Sequence, residues 1–419
     1  MPERRLSQAL GPGLLFAGAA VGVSHLVQST RAGAVFGLSL VGFILLANLI
    51  KYPPFSFGPR YAAATGTSLL EGYRRQGRWA LVLYGILTLG TMFTVQAAVT
   101  LVTAALAKVA LGLSASMISL SVILTLLCGV ILRGGQYPGL DRIMKVVVAV
   151  LTLTTVSATL LALPKLSGPA LSVVPDFSGM DRRTLFFLAA LIGWMPSAID
   201  VSIWHSLWTL ARRRQTGHAP SLRESMLDFN IGYIGTAILA FCFVILGSAV
   251  MYGETPAPSA PQFAGQILQL YTATLGEWAR PIIGTCALAV MFSTTLTVID
   301  GFPRALATLV SRFQTAESPD EAPTETRKSY WFFVILLAVG SLAILRYTIG
   351  SLKFLVDLAT TLSFLTAPLL STLNHRAILS PEVPESFRPG PKLVLSSQIS
   401  IALQAAFALW FLWLRFLAG

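Results

Sequence analysis

The chain alternates long apolar runs with short polar connections over nearly its whole length. Each run has about 20 residues or more, which is enough for a helix to cross the hydrocarbon core of a bilayer. The pattern predicts about eleven transmembrane helices. We place them at residues 10–31, 35–57, 79–108, 114–133, 143–163, 184–211, 226–251, 280–303, 329–347, 351–373 and 394–418. No sizeable soluble domain is left, so residues 1–419 are expected to form a single transmembrane domain.

The composition agrees with a protein that lies in lipid. Of the 419 residues, 54% are hydrophobic and 11% are charged, whereas soluble domains carry about 25% charged residues. The formal net charge is +12, but lysines and arginines are spread over the connections and do not form the cluster typical of a nucleic-acid-binding face. We therefore expect the lipid bilayer, and no nucleic acid, among the partners.

The basic residues also predict the orientation of the chain. Alternate connections are rich in them, with Arg60, Arg74, Arg133, Arg212 and Arg304 as examples. This places the N-terminus in the cytoplasm and, with an odd number of spans, the C-terminus outside. A short chain without a targeting segment favours a multi-pass protein of a bacterial inner membrane.

Two predicted spans contain residues that interrupt a helix. In the first, Gly22 is followed by Ser24 and His25, and in the sixth, Gly193 is followed by Pro196. Interruptions five spans apart fit two inverted repeats of five helices, in which unwound backbone lines a site at the middle of the membrane. The alternative is that the glycines allow close helix packing and that the proline only kinks its span.

Motifs near the two interruptions are similar to those of a known family. Gly11-Pro12-Gly13 precedes the first interruption, Ala32-Gly33-Ala34 follows it, and Met195-Pro196 lies at the second. Here the chain resembles the natural resistance-associated macrophage protein (NRAMP) family of divalent-metal transporters. That family has Gly-Pro-Gly, an Asp-Pro-Gly-Asn break and Ala-Gly-Ala in its first helix, and Met-Pro-His in its sixth.

The resemblance implies an all-α membrane protein with the leucine-transporter-like fold of the APC superfamily. Two inverted five-helix repeats would span about residues 10–163 and 184–373, with one further helix at about 394–418. The likeness covers about ten spans in hydropathy and is sharpest over the first 75 residues.

The chain departs from the family at the site itself. Gly22 stands where the family has the Asp, His25 where it has the Asn, and Ser197 where it has the His after Met-Pro. Of the metal-binding side chains that the resemblance implies, only Met195 is retained. The third span also lacks the carboxylates that serve proton movement in the family. The sequence therefore resembles a divergent, NRAMP-related branch without evident proton coupling.

We expect substrate to bind between the first and sixth spans. The predicted contacts are Gly22, Ser24, His25, Gly193, Met195, Ser197 and Asp200. Three of these are candidate metal ligands, namely the imidazole of His25, the thioether of Met195 and the carboxylate of Asp200. A neutral site made by His25 and Met195 would suit a softer transition metal better than Mg²⁺ or Ca²⁺.

Each candidate ligand also has a structural interpretation. His25 can bond backbone groups freed by the break, and Met195 can be ordinary packing. Asp200, three residues after Ser197, can stabilise the start of a half-helix as part of a capping box.

Two other acidic residues are expected to form pairs one helical turn apart. Asp300 precedes Arg304 by four positions, and Asp357 follows Lys353 by four. Such pairs lie on one helix face and stabilise it modestly, so neither acid is assigned to the site.

The preferred function is a secondary transporter that moves a metal cation by alternating access. Two alternatives are a transporter of a small organic solute, such as an amino acid or amine, and a transport-inactive membrane sensor with the same fold. The sequence contains no nucleotide-binding motif and no evident pair of nucleophile and base. Neither an enzyme nor a cofactor is therefore expected.

Overall fold

The computed structural model describes residues 11–134, 137–175, 181–254, 257, 259–316 and 327–416. The two chain termini, whose sides of the membrane the sequence predicts, lie outside the described residues. Over these ranges the chain is helical, with no strand. The α-helices, numbered in chain order, are α1 (Pro12–Ala20), α2 (Thr30–Phe36), α3 (Val41–Thr65), α4 (Leu69–Gln76), α5 (Arg78–Ala110), α6 (Met117–Gly134), α7 (Tyr137–Ala162), α8 (Arg182–Trp194), α9 (Asp200–Thr216), α10 (Leu222–Met251), α11 (Ala260–Leu275), α12 (Arg280–Arg312), α13 (Arg327–Thr348), α14 (Leu352–Ile378) and α15 (Pro391–Phe416).

Helices are present in all the spans that the hydrophobic pattern predicts. Among the described residues, 8 helical segments are long and apolar enough to cross a membrane. They are Pro12–Phe36, Glu277–Arg312, α5, α6, α10, α13, α14 and α15. The other predicted spans correspond to α3, to α7, and to α8 together with α9.

α15 packs against α3 and pairs a backbone carbonyl that a proline leaves without its helical hydrogen bond. Pro54 lies inside α3. Because proline has no amide hydrogen, the carbonyl of Ile50 loses its helical hydrogen bond. The hydroxyl of Ser400 in α15 donates a hydrogen bond of 2.5 Å to that carbonyl.

Glycines allow α10 to pack directly behind both halves of the first predicted span. A Cβ atom at Gly13 in α1 would lie 1.9 Å from the backbone oxygen of Asp228, and one at Gly33 in α2 would lie 2.1 Å from that of Val244. The Asp228 carboxylate accepts hydrogen bonds from the amides of Gly11 (2.9 Å) and Gly13 (2.6 Å). It therefore caps the amino-terminal end of α1.

The connection between α10 and α12 holds a helix that the hydrophobic pattern did not predict. α11 has 16 residues, which is short of the ~20 needed to span a membrane. It buries Phe263 and Ile267 towards Leu26 and Val102, and leaves a small apolar cavity of about 10 Å³ between them. α11 thereby covers one end of the bundle.

Candidate functional site

Both predicted interruptions are present as gaps in regular helix. α1 ends at Ala20, and a π-helix begins at Val23, so residues 21 and 22 lie between the two. α8 ends at Trp194, and residues 195–199 form an irregular linker before α9. Backbone groups at such breaks lack intrahelical hydrogen bonds and are available to other partners.

A cavity of about 40 Å³ lies between the two breaks. Its largest apolar lining residues are Trp194, Trp204 and Phe302. The lining residues with polar side-chain oxygens are Ser24, Ser197, Asp200 and Thr294. The cavity therefore has a carboxylate and hydroxyl groups in an otherwise apolar wall.

Asp200 supplies a buried acidic oxygen that no group in the described part of the chain pairs. The residue is 2% exposed, and its Oδ1 atom has no hydrogen-bond partner in the described part of the chain. The capping box suggested by the spacing from Ser197 is not formed, because Ile199 is the N-cap and makes no side-chain cap bond. The position of Asp200 in the first turn of α9 still favours a negative charge.

His25 lies behind the cavity wall and is not among the residues that line it. Its Nε2 is 2.9 Å from the carbonyl oxygen of Thr236 in α10. Because a carbonyl only accepts, Nε2 carries the hydrogen, and in a neutral ring Nδ1 is then an acceptor. The Ser24 hydroxyl lies 2.7 Å from Nδ1 and 2.7 Å from the carbonyl oxygen of Ala20, and its single hydrogen can be donated to either of them. His25 would have to give up one of its contacts to bind a metal.

Met195, Gly22 and Gly193 also lie outside the cavity lining. Met195 is fully buried in an apolar cluster with residues of α3, α8 and α10. A Cβ atom at Gly22 would lie 2.8 Å from Cγ2 of Thr294, and one at Gly193 would lie 2.3 Å from the backbone oxygen of Thr360. Both glycines therefore serve close packing around the breaks.

Metal-binding side chains do not cluster in the described residues. Among them, no group of three or more His, Cys, Asp or Glu residues lies together. A cation in the cavity would therefore depend on Asp200, hydroxyl groups, backbone carbonyls and water for its ligands.

Sequence comparison decides the family. Residues 13–414 match the family described as natural resistance-associated macrophage protein-like. The chain belongs to the NRAMP family. The uncharacterized protein PM0681 of Pasteurella multocida is 37% identical to this NRAMP protein over 409 residues, covering 96% of this chain and 92% of the relative. The divalent metal cation transporter MntH of Pediococcus pentosaceus is 23% identical over 295 residues, covering 68% and 64% respectively.

Solved structures share the fold of this NRAMP protein. A mutant of the Eremococcus coleocola manganese transporter matches with a TM-score of 0.73 and 14% identity, over 96% of this chain and 86% of that one. Mhp1, a nucleobase-cation-symport-1 family transporter, matches with a TM-score of 0.59 and 16% identity, over 97% of this chain and 94% of that one. MhsT in complex with L-phenylalanine matches with a TM-score of 0.62 and 14% identity, over 94% of this chain and 98% of that one. The predicted leucine-transporter-like membrane fold is confirmed.

The sequence-based site missed Lys51, which contacts the break of the sixth span. Its Nζ in α3 donates hydrogen bonds to the carbonyl oxygens of Ile192 (2.7 Å), Gly193 (2.7 Å) and Ser197 (3.3 Å). Lys51 is 1% exposed. A lone lysine inside an apolar span is costly and is a functional candidate by default, so the sequence did carry a signal for it.

An ion pair joins α2 to α14 in this NRAMP protein. Arg31 in α2 contacts Asp357 in α14 at 2.9 Å. The prediction that Asp357 pairs with Lys353 is therefore wrong, because an arginine from a different helix takes that place. The predicted pair of Asp300 and Arg304 is confirmed at 2.7 Å.

Removing the pair of Arg31 and Asp357 is expected to favour separation of α2 from α14. In Arg31→Gln, a cysteine placed at Val27 should react about tenfold faster with a membrane-impermeant thiol reagent, which corresponds to about 1.4 kcal/mol of lost closure energy. Val27 lines the small cavity beneath α11, so the reagent reaches it only after opening. Arg304→Gln is the matched control; an equal acceleration there, or none in Arg31→Gln, would contradict the assignment.

Proposed function

We propose that this NRAMP protein is a secondary transporter that moves a metal cation across the membrane by alternating access. The cation would bind in the cavity between the two breaks, with Asp200, Ser24 and Ser197 at its wall. The observation that carries the proposal is the buried Asp200 oxygen without a partner among the described residues. Relatives named as divalent-metal and manganese transporters support the same class of cargo.

The charge of the cavity favours a cation. A carboxylate that is buried and unpaired is costly, and a bound cation offsets that cost. In membrane transporters, intramembrane acidic residues typically mark the ion pathway. In the family's Asp-Pro-Gly-Asn motif, an aspartate at the break of the first helix supplies the negative charge. Here Asp200, at the break of the sixth span, supplies it.

The size of the cavity favours an ion over an organic solute. One water needs roughly 10–15 Å³ of volume by the same measure, so about 40 Å³ holds an ion with a few waters. Sites for organic ligands are typically about 300 to 1,000 Å³. An amino acid or amine would require a much wider cavity than the one between these breaks.

The donor atoms favour a hard cation. The polar side chains that line the cavity offer oxygen atoms, whereas the sulfur of Met195 and the imidazole of His25 lie behind the wall. Mg²⁺, Ca²⁺ and Mn²⁺ prefer oxygen ligands. We therefore propose a partly hydrated ion of this class as cargo, in place of the softer metal that His25 and Met195 would favour.

The proposed transporter is built from two repeats and has a defined orientation in the membrane. Inverted repeats would span about residues 10–163 and 184–373, with a further helix at about 394–418, and one bundle of helices would rock against the other around the site. For a multi-pass protein of the inner membrane, the basic connections support a cytoplasmic N-terminus and an external C-terminus. α5 contains no Asp or Glu, which argues against proton movement through carboxylates of this helix.

Thermal unfolding of the purified protein across a ligand panel tests the cargo class. Mn²⁺, Mg²⁺ or Ca²⁺ is expected to raise the melting temperature, with about 2.7 kcal/mol of stabilisation at 100 times the dissociation constant. Amino acids and choline should have no effect. Stabilisation by an amino acid alone would favour the organic-solute alternative, and stabilisation by metal without uptake into liposomes would favour the sensor.

A further inference from the structure

A single ammonium group joins the two sides of the break in the sixth span. Two of the carbonyls that Lys51 contacts, those of Ile192 and Gly193, belong to the last turn of α8, and the third, that of Ser197, belongs to the linker leading to α9. The described residues include no carboxylate within ion-pairing distance of this Nζ. The positive charge of Lys51 is therefore matched by backbone carbonyls.

The carboxyl end of a helix is suited to a cation. Its last carbonyls lack intrahelical partners and carry a partial negative charge of about half an elementary charge. In broken membrane helices such ends coordinate ions through their carbonyl oxygens. The ammonium of Lys51 has three hydrogens, and the break presents one carbonyl for each of them.

We propose that the carbonyls of Ile192, Gly193 and Ser197 form a site for a monovalent cation, which Lys51 occupies as a tethered ligand. Lys51 is then a positioning residue, because it holds Ser197 at the cavity wall and fixes the start of α9. Removal of its side chain would create a site for a small free cation. This inference concerns the break itself and is independent of which cargo the cavity takes.

Thermal unfolding of Lys51→Ala tests the proposal. The variant should melt about 5 to 10 °C below wild type, because three carbonyls at the break each lose a hydrogen bond. Ammonium or methylammonium chloride should restore at least half of that loss. Choline chloride at the same ionic strength should not, because its cation has no N–H donor. Wild type should respond equally to all three salts.

Lys108→Ala is the matched control. Nζ of Lys108 donates to a single carbonyl, that of Ala115, at 2.7 Å, and this contact lies away from both breaks. Its melting temperature should show no recovery specific to ammonium. Equal recovery in both variants, or no recovery in Lys51→Ala, would overturn the proposal.

If Lys51→Ala does not fold, Lys51→Gln and Lys51→Met test the tethered-cation proposal. Both side chains fill the space without a charge, and only glutamine retains N–H donors. Both variants should melt below wild type, and neither should recover with ammonium, because the site is filled. A wild-type melting temperature for Lys51→Gln would show that neutral hydrogen bonds suffice, and the tethered-cation proposal would then be wrong.

Discussion

Replacing Asp200 with asparagine is expected to abolish metal-cation uptake while the protein remains folded. Asp200 provides the carboxylate among the described cavity-lining residues, so a divalent cation would lose its charged ligand. The initial rate of Mn²⁺ uptake into proteoliposomes should fall about a hundredfold or more, equivalent to about 2.8 kcal/mol. The melting temperature should not fall, because Oδ1 of Asp200 is buried without a partner among the described residues and neutralising the carboxylate removes a desolvation cost.

Asp300→Asn is the control for this experiment. Asp300 is 1% exposed, and its carboxylate binds Arg304 and the hydroxyl of Tyr330. Loss of these charge-assisted bonds should lower the melting temperature, whereas the folded variant should still take up Mn²⁺. Wild-type uptake by Asp200→Asn, or equal losses in the two variants, would remove Asp200 from the site.

Replacing Gly33 with alanine is expected to prevent stable folding. The new Cβ atom would lie 2.1 Å from the backbone oxygen of Val244 and 2.7 Å from the backbone nitrogen of Ser248. α2 and α10 would have to move apart, at a cost of about 3 kcal/mol or more. We expect little monodisperse protein in size-exclusion chromatography, and a much lower melting temperature for any that is recovered.

Gly90→Ala tests whether the effect comes from helix contact rather than from the loss of a glycine. Gly90 lies inside α5, is exposed, and has open space where a Cβ atom would be placed. Alanine is the better helix former by about 1 kcal/mol, so this variant should be as stable as wild type or slightly more stable. Normal folding of Gly33→Ala would show that the contact with α10 is looser than the structure indicates.

The interruptions could be predicted because glycine and proline act on their own helix. Gly22 and Pro196 disturb helical structure whatever tertiary contacts surround them, and both breaks lie beside them. The partner of Asp357 could not be predicted in this way. Spacing of four positions identifies neighbours on one helix, whereas Arg31 is separated from Asp357 by 326 positions.

The candidate site could be predicted only in part, because side-chain direction depends on helix rotation. Ser24 and His25 are adjacent, and in a helix adjacent side chains point about 100° apart, so only one can face the cavity. Ser24 lines it, and His25 turns to the carbonyl of Thr236. The π-helix that begins at Val23 alters this rotation. Its start cannot be read from the pattern of polar residues.

Lys51 was overlooked for a related reason. A hydropathy pattern averages over a window, so a lone lysine among apolar residues does not interrupt the predicted span. Its contacts lie 141 to 146 positions away in the sequence. Only the folded arrangement of α3 beside the break of the sixth span shows what the charge does.

Locating the cation in a crystal tests directly whether Asp200 holds it. Crystals of the protein grown with Mn²⁺ should give an anomalous-scattering peak in the cavity between the breaks, within coordination distance of the Asp200 carboxylate. Crystals of Asp200→Asn grown in the same way should lack that peak. A Mn²⁺ peak bound to His25 and Met195 instead, or an empty cavity in the wild-type protein, would show that Asp200 does not hold the cation.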